Sequence, residues 1–315
     1  MFGVASRNRL RRLARAVDPD YRLRRVPRQL RGALFALTHE VATPPAGNRA
    51  IAQAIRDGRP AAIGKIGNSE LRIVLRRLAG RAAPYPDWLR EEALVGPGIF
   101  PTDDRTLDRF SDVYLESLGS VDLLGVWYNH GEARVVAAAA SRARFMELEA
   151  LEPYLCEEPW SHALLGRRVA VVTPFARTVA AQYERRRAIW TAQPTPLPDF
   201  DLRVVPVPFS PALEPPRHAT WFERYDAVAE RLESKPFDVA LVGAGGLSIP
   251  LCALARRLGR IGIHMGGGTQ VLFGIQGRRF EDNPEIVRRM NEHWCRPLPE
   301  ETPSANGLVE NGAYW

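Results

Sequence analysis

The stretch that decides the fold is Asp238–Gly268, D-V-A-L-V-G-A-G-G-L-S-I-P-L-C-A-L-A-R-R-L-G-R-I-G-I-H-M-G-G-G. A short apolar run, Asp238–Val242, ends in a glycine turn. An amphipathic segment, Leu247–Leu258, follows, and then a second apolar run, Ile261–His264, ends in three more glycines. Two short continuous apolar runs joined by a helical segment read as parallel strands with a crossover helix. The same alternation extends in both directions. Towards the N-terminus it predicts helices at Thr220–Glu233, Thr178–Trp190, 132–145, Asp104–Leu118, Asn68–Leu78 and Asn48–Asp57. Between them it predicts strands at Leu202–Val207, Arg168–Val172, Val121–Trp127 and Ala61–Ile66. The expected class is therefore α/β, Rossmann-like, with a mostly parallel sheet and helices on both faces. Pro153 and Pro159 suggest a boundary near 151–160, and the regular alternation begins only at residue 48. The expected division is a basic arm and lead-in, 1–47, and one domain, 48–315.

Composition narrows the function classes. The chain has 315 residues, with 45% hydrophobic and 25% charged, which is globular composition with no run long enough to span a bilayer. Cys156, Cys252 and Cys295 are widely spaced and odd in number, so neither a disulfide framework nor a zinc knuckle is indicated and a reducing, cytoplasmic setting is expected. The formal charge is +7, but residues 1–32 hold ten arginines against Asp18 and Asp20, +8 in all, which leaves −1 on the remainder. A near-neutral body argues against a nucleic-acid partner. Within the arm, Leu10, Leu13, Ala14 and Val17 share one helical face among Arg9, Arg11, Arg12 and Arg15, a pattern suited to an anionic membrane surface at the inner face of the membrane.

Ligands in such sheets bind beyond the carboxyl ends of the strands. Three of those ends carry candidate residues. The first is Gly64-Lys65-Ile66-Gly67-Asn68-Ser69-Glu70, where Asn68 is a good N-cap and Glu70 lies in the first turn of a helix. The second is the turn Gly243-Ala244-Gly245-Gly246. It has no acidic residue about 20 residues on, where a ribose partner would stand, so a nicotinamide dehydrogenase fits poorly. The third is His264-Met265-Gly266-Gly267-Gly268-Thr269-Gln270 with Arg278 and Arg279. Three glycines after a strand suit an anion nest, and the arginines suit a diphosphate. At a further strand end, Thr173 and Thr178 read as caps and Arg177 as a candidate binding residue. The last residues, Glu310–Trp315, with Trp294 and Arg296, are too aromatic for a solvated terminus, so the tail is expected to pack near the crevice with Trp315 ordered.

At these residues a resemblance appears. Ile63–Leu71, I-G-K-I-G-N-S-E-L, resembles the opening motif of GT-D-type glycosyltransferases, roughly G-R-[FY]-G-D-G-E-L. Four later segments are similar to a bacterial GT-D-like family found with polysaccharide and capsule genes: V-V-T-P-F-A-R-T-V-A-A-Q-Y-E-R-R at 171–186, H-M-G-G-G-T-Q-V-L-F-G-I-Q-G-R-R-F at 264–280, N-E-H-W-C-R-P at 291–297 and V-E-N-G-A-Y-W at 309–315. The resemblance covers about residues 48–315. It implies a nucleotide-sugar-dependent transferase that extends a cell-surface or lipid-linked glycan. It also implies that Asn68-Ser69-Glu70 stands at the D-x-E element linked to Mn²⁺ or Mg²⁺ and to the nucleotide sugar. Asn68 replaces the aspartate, a weaker ligand for a hard cation, and Lys65 replaces a frequent arginine. On this reading Glu70 and His264 are the candidate catalytic bases, Glu70 also the candidate metal ligand. Gly64, Lys65, Gly67, Asn68, Arg177, Gly243, Gly245, Gly246, Gly266, Gly267, Gly268, Thr269, Gln270, Arg278 and Arg279 are the candidate substrate-binding residues. Two rivals are a non-catalytic sugar-nucleotide-binding partner and a different Rossmann-type enzyme, such as a nucleotidyl- or methyltransferase.

Overall fold

The computed structural model describes residues 27–80, 84–191 and 193–315. Eight strands form one sheet: β1 (Val41–Ala42), β2 (Ala61–Lys65), β3 (Leu123–Val126), β4 (Arg144–Glu147), β5 (Arg168–Thr173), β6 (Asp201–Pro206), β7 (Val239–Val242) and β8 (Ile261–His264). All pairings are parallel, in the order β1-β4-β3-β2-β8-β7-β5-β6. β3, β7 and β8 are buried along their whole length, as parallel strands covered on both faces must be.

The helices are α1 (Arg28–Ala36), α2 (Pro44–Asp57), α3 (Asn68–Leu78), α4 (Asp87–Val95), α5 (Asp104–Leu118), α6 (Glu132–Ala139), α7 (Ala176–Glu184), α8 (Arg186–Ile189), α9 (Trp221–Glu233), α10 (Ser248–Arg257), α11 (Gly268–Leu272) and α12 (Pro284–Val287). They divide between two apolar layers. One holds Leu71, Ile73 and Val74 of α3 with α5, α9 and α10. The other holds Ile51 and Ile55 of α2 with α7, α11 and the segment around Trp160. The connection leaving β2 therefore turns to one face and the connection leaving its neighbour β8 to the other. That divergence opens a crevice at the carboxyl edge between the two strands.

The structure departs from the sequence expectations at definite points. The folded body starts earlier than residue 48, because α1 packs through Phe35 and β1 pairs with β4. The run 132–145 is not one helix. α6 stops at Ala139, and Arg144–Glu147 turns into β4, which β3 and β1 flank. The segment 151–160 is not a boundary. Asn48 of α2 bonds to Glu158 and, at 2.8 Å, to the N–H of Trp160, which is fully buried, and β8 of the second half pairs directly with β2 of the first, so one sheet runs through both halves. The helix expected over Thr178–Trp190 is two, broken at Arg185. The helical face proposed for Leu10–Val17 lies outside the described residues. Among the described residues, no helix is long and apolar enough to cross a membrane.

Candidate functional site

A cavity of about 330 Å³ opens at the carboxyl edge where β2, β8, β7, β5 and β6 end. It has a charged end and an apolar end, and each follows from local structure.

The charged end begins with Lys65, the last residue of β2. Its ammonium lies 5.0 Å from the centre of the Trp127 ring, which continues from β3. Burial lowers the Lys65 pKa to about 8; Glu152 and Glu70 oppose the shift and Arg279 adds to it. Gly67, rather than Asn68, is the N-cap of α3; Asn68 is its first residue and is exposed. Glu70 bends back from the first turn until its carboxylate lies over Gly67, where any Cβ would overlap it. It is buried, and burial, reinforced by Glu92 and Glu310, raises its pKa to about 7 against the pull of its own N–H and of Lys65. Glu70 is thus no exposed partner of a helix dipole but a titrating group inside the cavity.

β8 supplies the facing wall. His264 is buried with Nδ1 3.3 Å from the Val242 carbonyl, and burial lowers its pKa to about 3, so it is neutral near pH 7. Gly266 takes a left-handed φ of +58°; a Cβ there would stand 3.4 Å from Lys65 Cε. Thr269 Oγ1 and Gln270 Oε1 are buried without partners beside the cavity. Such atoms mark a place for a polar ligand. Arg279 reaches over the mouth, donating to the Tyr314 hydroxyl at 2.7 Å and pairing with Glu310 at 3.6 Å.

The apolar end is walled by Phe175, Phe209 and Trp315, whose rings lie 5.8–5.9 Å apart in Phe175–Phe209, Phe175–Trp315 and Phe209–Trp315 pairs. The expectation for the tail holds. Trp315 Nε1 donates to the Glu301 carbonyl at 2.7 Å, its own carbonyl accepts from Arg296 at 2.7 Å, and Gln270 donates to the Tyr314 carbonyl at 2.8 Å. Beneath lies Arg224, buried, donating to Gly98 O at 3.1 Å and Pro208 O at 2.9 Å with its Nε left without an acceptor. It ties two cavity loops together.

Lys65, Gly67, Asn68, Glu70, Gly243, Gly245, His264, Gly266, Gly267, Thr269, Gln270 and Arg279 all line this one cavity. Gly64, Gly246, Gly268, Arg177 and Arg278 do not. Gly64 is inside β2, with no room for a Cβ against His264. The Gly246 N–H goes to Pro97, and Gly268 packs beneath Tyr154. The Arg177 side chain is 68% exposed beside Glu300. Arg278 turns to Asn311 O on the far side of the tail. Trp127, Phe209 and Arg224 were missed, because only the fold brings these scattered positions together.

The residues present do not fit a resident divalent cation. Glu70 has an ammonium among its near charges, Asn68 is exposed, and among the described residues no three His, Cys, Asp or Glu side chains converge.

Compared with protein-family models, with curated proteins and with solved structures, the chain finds no match in any of the three.

The fold is Rossmann-like. It is shown by the single parallel sheet with its two helical layers.

Proposed function

We propose that the chain is a glycosyltransferase that moves a sugar from a nucleoside diphosphate sugar to a hydroxyl of a growing glycan. The observation that carries the reading is the placement of half-buried Lys65 and buried Glu70: a cation and a carboxylate whose pKa values are both displaced toward neutrality, in one cavity at the crevice of a Rossmann-like sheet. The motifs at 63–71 and 264–280, which meet across β2 and β8, support it.

In the reaction, the acceptor oxygen attacks the anomeric carbon, the bond from that carbon to phosphate breaks, and its electron pair leaves with the diphosphate. Lys65 and Arg279 neutralise the departing charge. The ionised Glu70 takes the acceptor proton. His264 does not serve as that base, since its neutral ring is too weakly basic. The aromatic end suits the nucleobase, which Phe175, Phe209 or Trp315 would stack against. No step here runs through a metal ion.

A thermal-shift panel of nucleoside diphosphates, their sugars, nucleoside triphosphates and S-adenosylmethionine tests the reading, followed by turnover with any sugar nucleotide that binds. Stabilisation by a diphosphate and its sugar, with transfer or slow hydrolysis, is expected. Activity should need Glu70 ionised and Lys65 charged, giving a bell-shaped kcat/KM whose acid limb lies near about 7 and alkaline limb near about 8. Stabilisation by S-adenosylmethionine alone would overturn the reading, and binding without turnover would favour a non-catalytic carrier.

Glu310 holds Arg279 where a phosphate oxygen would bind. Glu310→Gln is therefore expected to tighten binding of a nucleoside diphosphate by about twofold to fivefold, the scale of an exposed ion pair, in calorimetric titration. Weaker binding would mean that Glu310 helps to hold the ligand.

A further inference from the structure

α1 is seated on the body by one side only. Phe35 is buried against Tyr128 and Phe145, and Arg31 Nε donates to the Tyr128 carbonyl at 2.6 Å. The opposite side carries Leu30, Leu34 and, at the C-cap, Leu37, exposed to 51%, 54% and 79%. These positions, four and three residues apart, make a row along one helical face. Two outward leucines on a nine-residue helix and a third at its C-cap are costly to leave in water. The segment's own charge is of one sign. No acidic residue occurs between Asp20 and Glu40, Arg28 and Arg31 lie within α1, and the chain leading into it brings residues 1–32 to +8. A row of apolar side chains set among arginines is the composition of an interfacial helix on anionic lipid.

We propose that the Leu30–Leu34–Leu37 face of α1 is the footprint by which this protein lies on an anionic membrane surface. The Arg31 end of α1 reaches the carboxyl end of β3. Tyr128, to which it is bonded, follows Trp127, and Trp127 faces Lys65 in the cavity. The surface stands whether or not the cavity transfers sugars.

The test uses the full chain and vesicles of phosphatidylglycerol in phosphatidylcholine, with pure phosphatidylcholine for comparison. Co-sedimentation is expected with the anionic vesicles only and should weaken with salt, which screens such contacts within ~10 Å at 0.1 M. Leu30→Ser/Leu34→Ser/Leu37→Ser should weaken binding by about tenfold or more at an unchanged thermal midpoint, because these side chains touch little of the body. Leu34→Trp should shift its emission to the blue on the vesicles and be quenched by brominated lipid. Equal binding of the triple variant and the wild type would overturn the proposal, as would equal retention on the two kinds of vesicle. It also fails if the triple variant turns a wild-type dimer into a monomer, by sedimentation velocity, with vesicle binding unchanged. The face would then be a contact between copies.

Discussion

Glu70→Gln is expected to cut turnover by ~100-fold or more while making the fold more stable at pH 8. The two effects have one source. Burial raises the Glu70 pKa from 4.5 to about 7, so between those values the native state holds a proton that the unfolded chain has released. Stability therefore falls as pH rises through that window and stays low above it. Glutamine has no charge to bury and escapes this cost. At ~1.4 kcal/mol for each tenfold change in proton affinity, the variant should gain roughly 1–3 kcal/mol at pH 8 and almost nothing at pH 4. Urea unfolding at the two pH values measures the gain, and the acid limb of kcat/KM should vanish with the base. Wild-type turnover in this variant would show that Glu70 is not the base. A variant less stable than wild type at pH 8 would show that the carboxylate is held by bonds its amide cannot make.

The second large effect is expected from a chain that stops at residue 308. The removed residues include Tyr314 and Trp315, two of the five aromatic side chains that line the cavity, and the carbonyls that accept from Arg278 N at 3.2 Å, Arg279 N at 3.0 Å and Gln270 at 2.8 Å. Truncating partly buried aromatic packing of this kind costs about 3–5 kcal/mol. A fall in Tm of roughly 6–15 °C follows for a domain of this size. With Phe175 and Phe209 exposed and Arg279 released, turnover should drop below measurement. Calorimetry and a transfer assay check the two parts separately. Full retention of both would show that the tail is a passenger.

How much of this was legible in the sequence depended on how local its cause was. α3, α5 and β8 were readable to the residue, because each carries its own period and its own punctuation: Gly67 before α3, Asp103 capping α5 through Thr106, and Gly259 before β8. β1 and β4 were not. Val41–Ala42 is too short to carry a period, and Arg144–Glu147 becomes a strand only because β3 and β1 flank it, which overrides the helical drift of the alanines before it. The aromatic tail betrayed itself by composition. The chemistry of Glu70 could not, because its shift comes from burial and from charges such as Glu92 and Glu310 that the fold brings close. The glycines at 243–246 and 266–268 marked the right edge of the sheet but not which of them face a ligand. That is decided by partners such as Pro97 and Tyr154.

The place of β8 between β2 and β7 has a consequence for how the molecule is made. Ala61 of β2 is the register partner of Ile261, and Val239 of β7 pairs with the same residue. The strand that closes the middle of the sheet is thus the last one synthesised. At ~5–20 residues per second, β2 waits on the order of 10–40 s for its neighbour, whereas β7 waits only a few seconds. During that interval the nascent chain can assemble β2, β3 and β4 but presents the inner edge of β2 unpaired. Newly made chains in this gap are the species on which a ribosome-associated chaperone would act, and the species most exposed to mispairing with another copy.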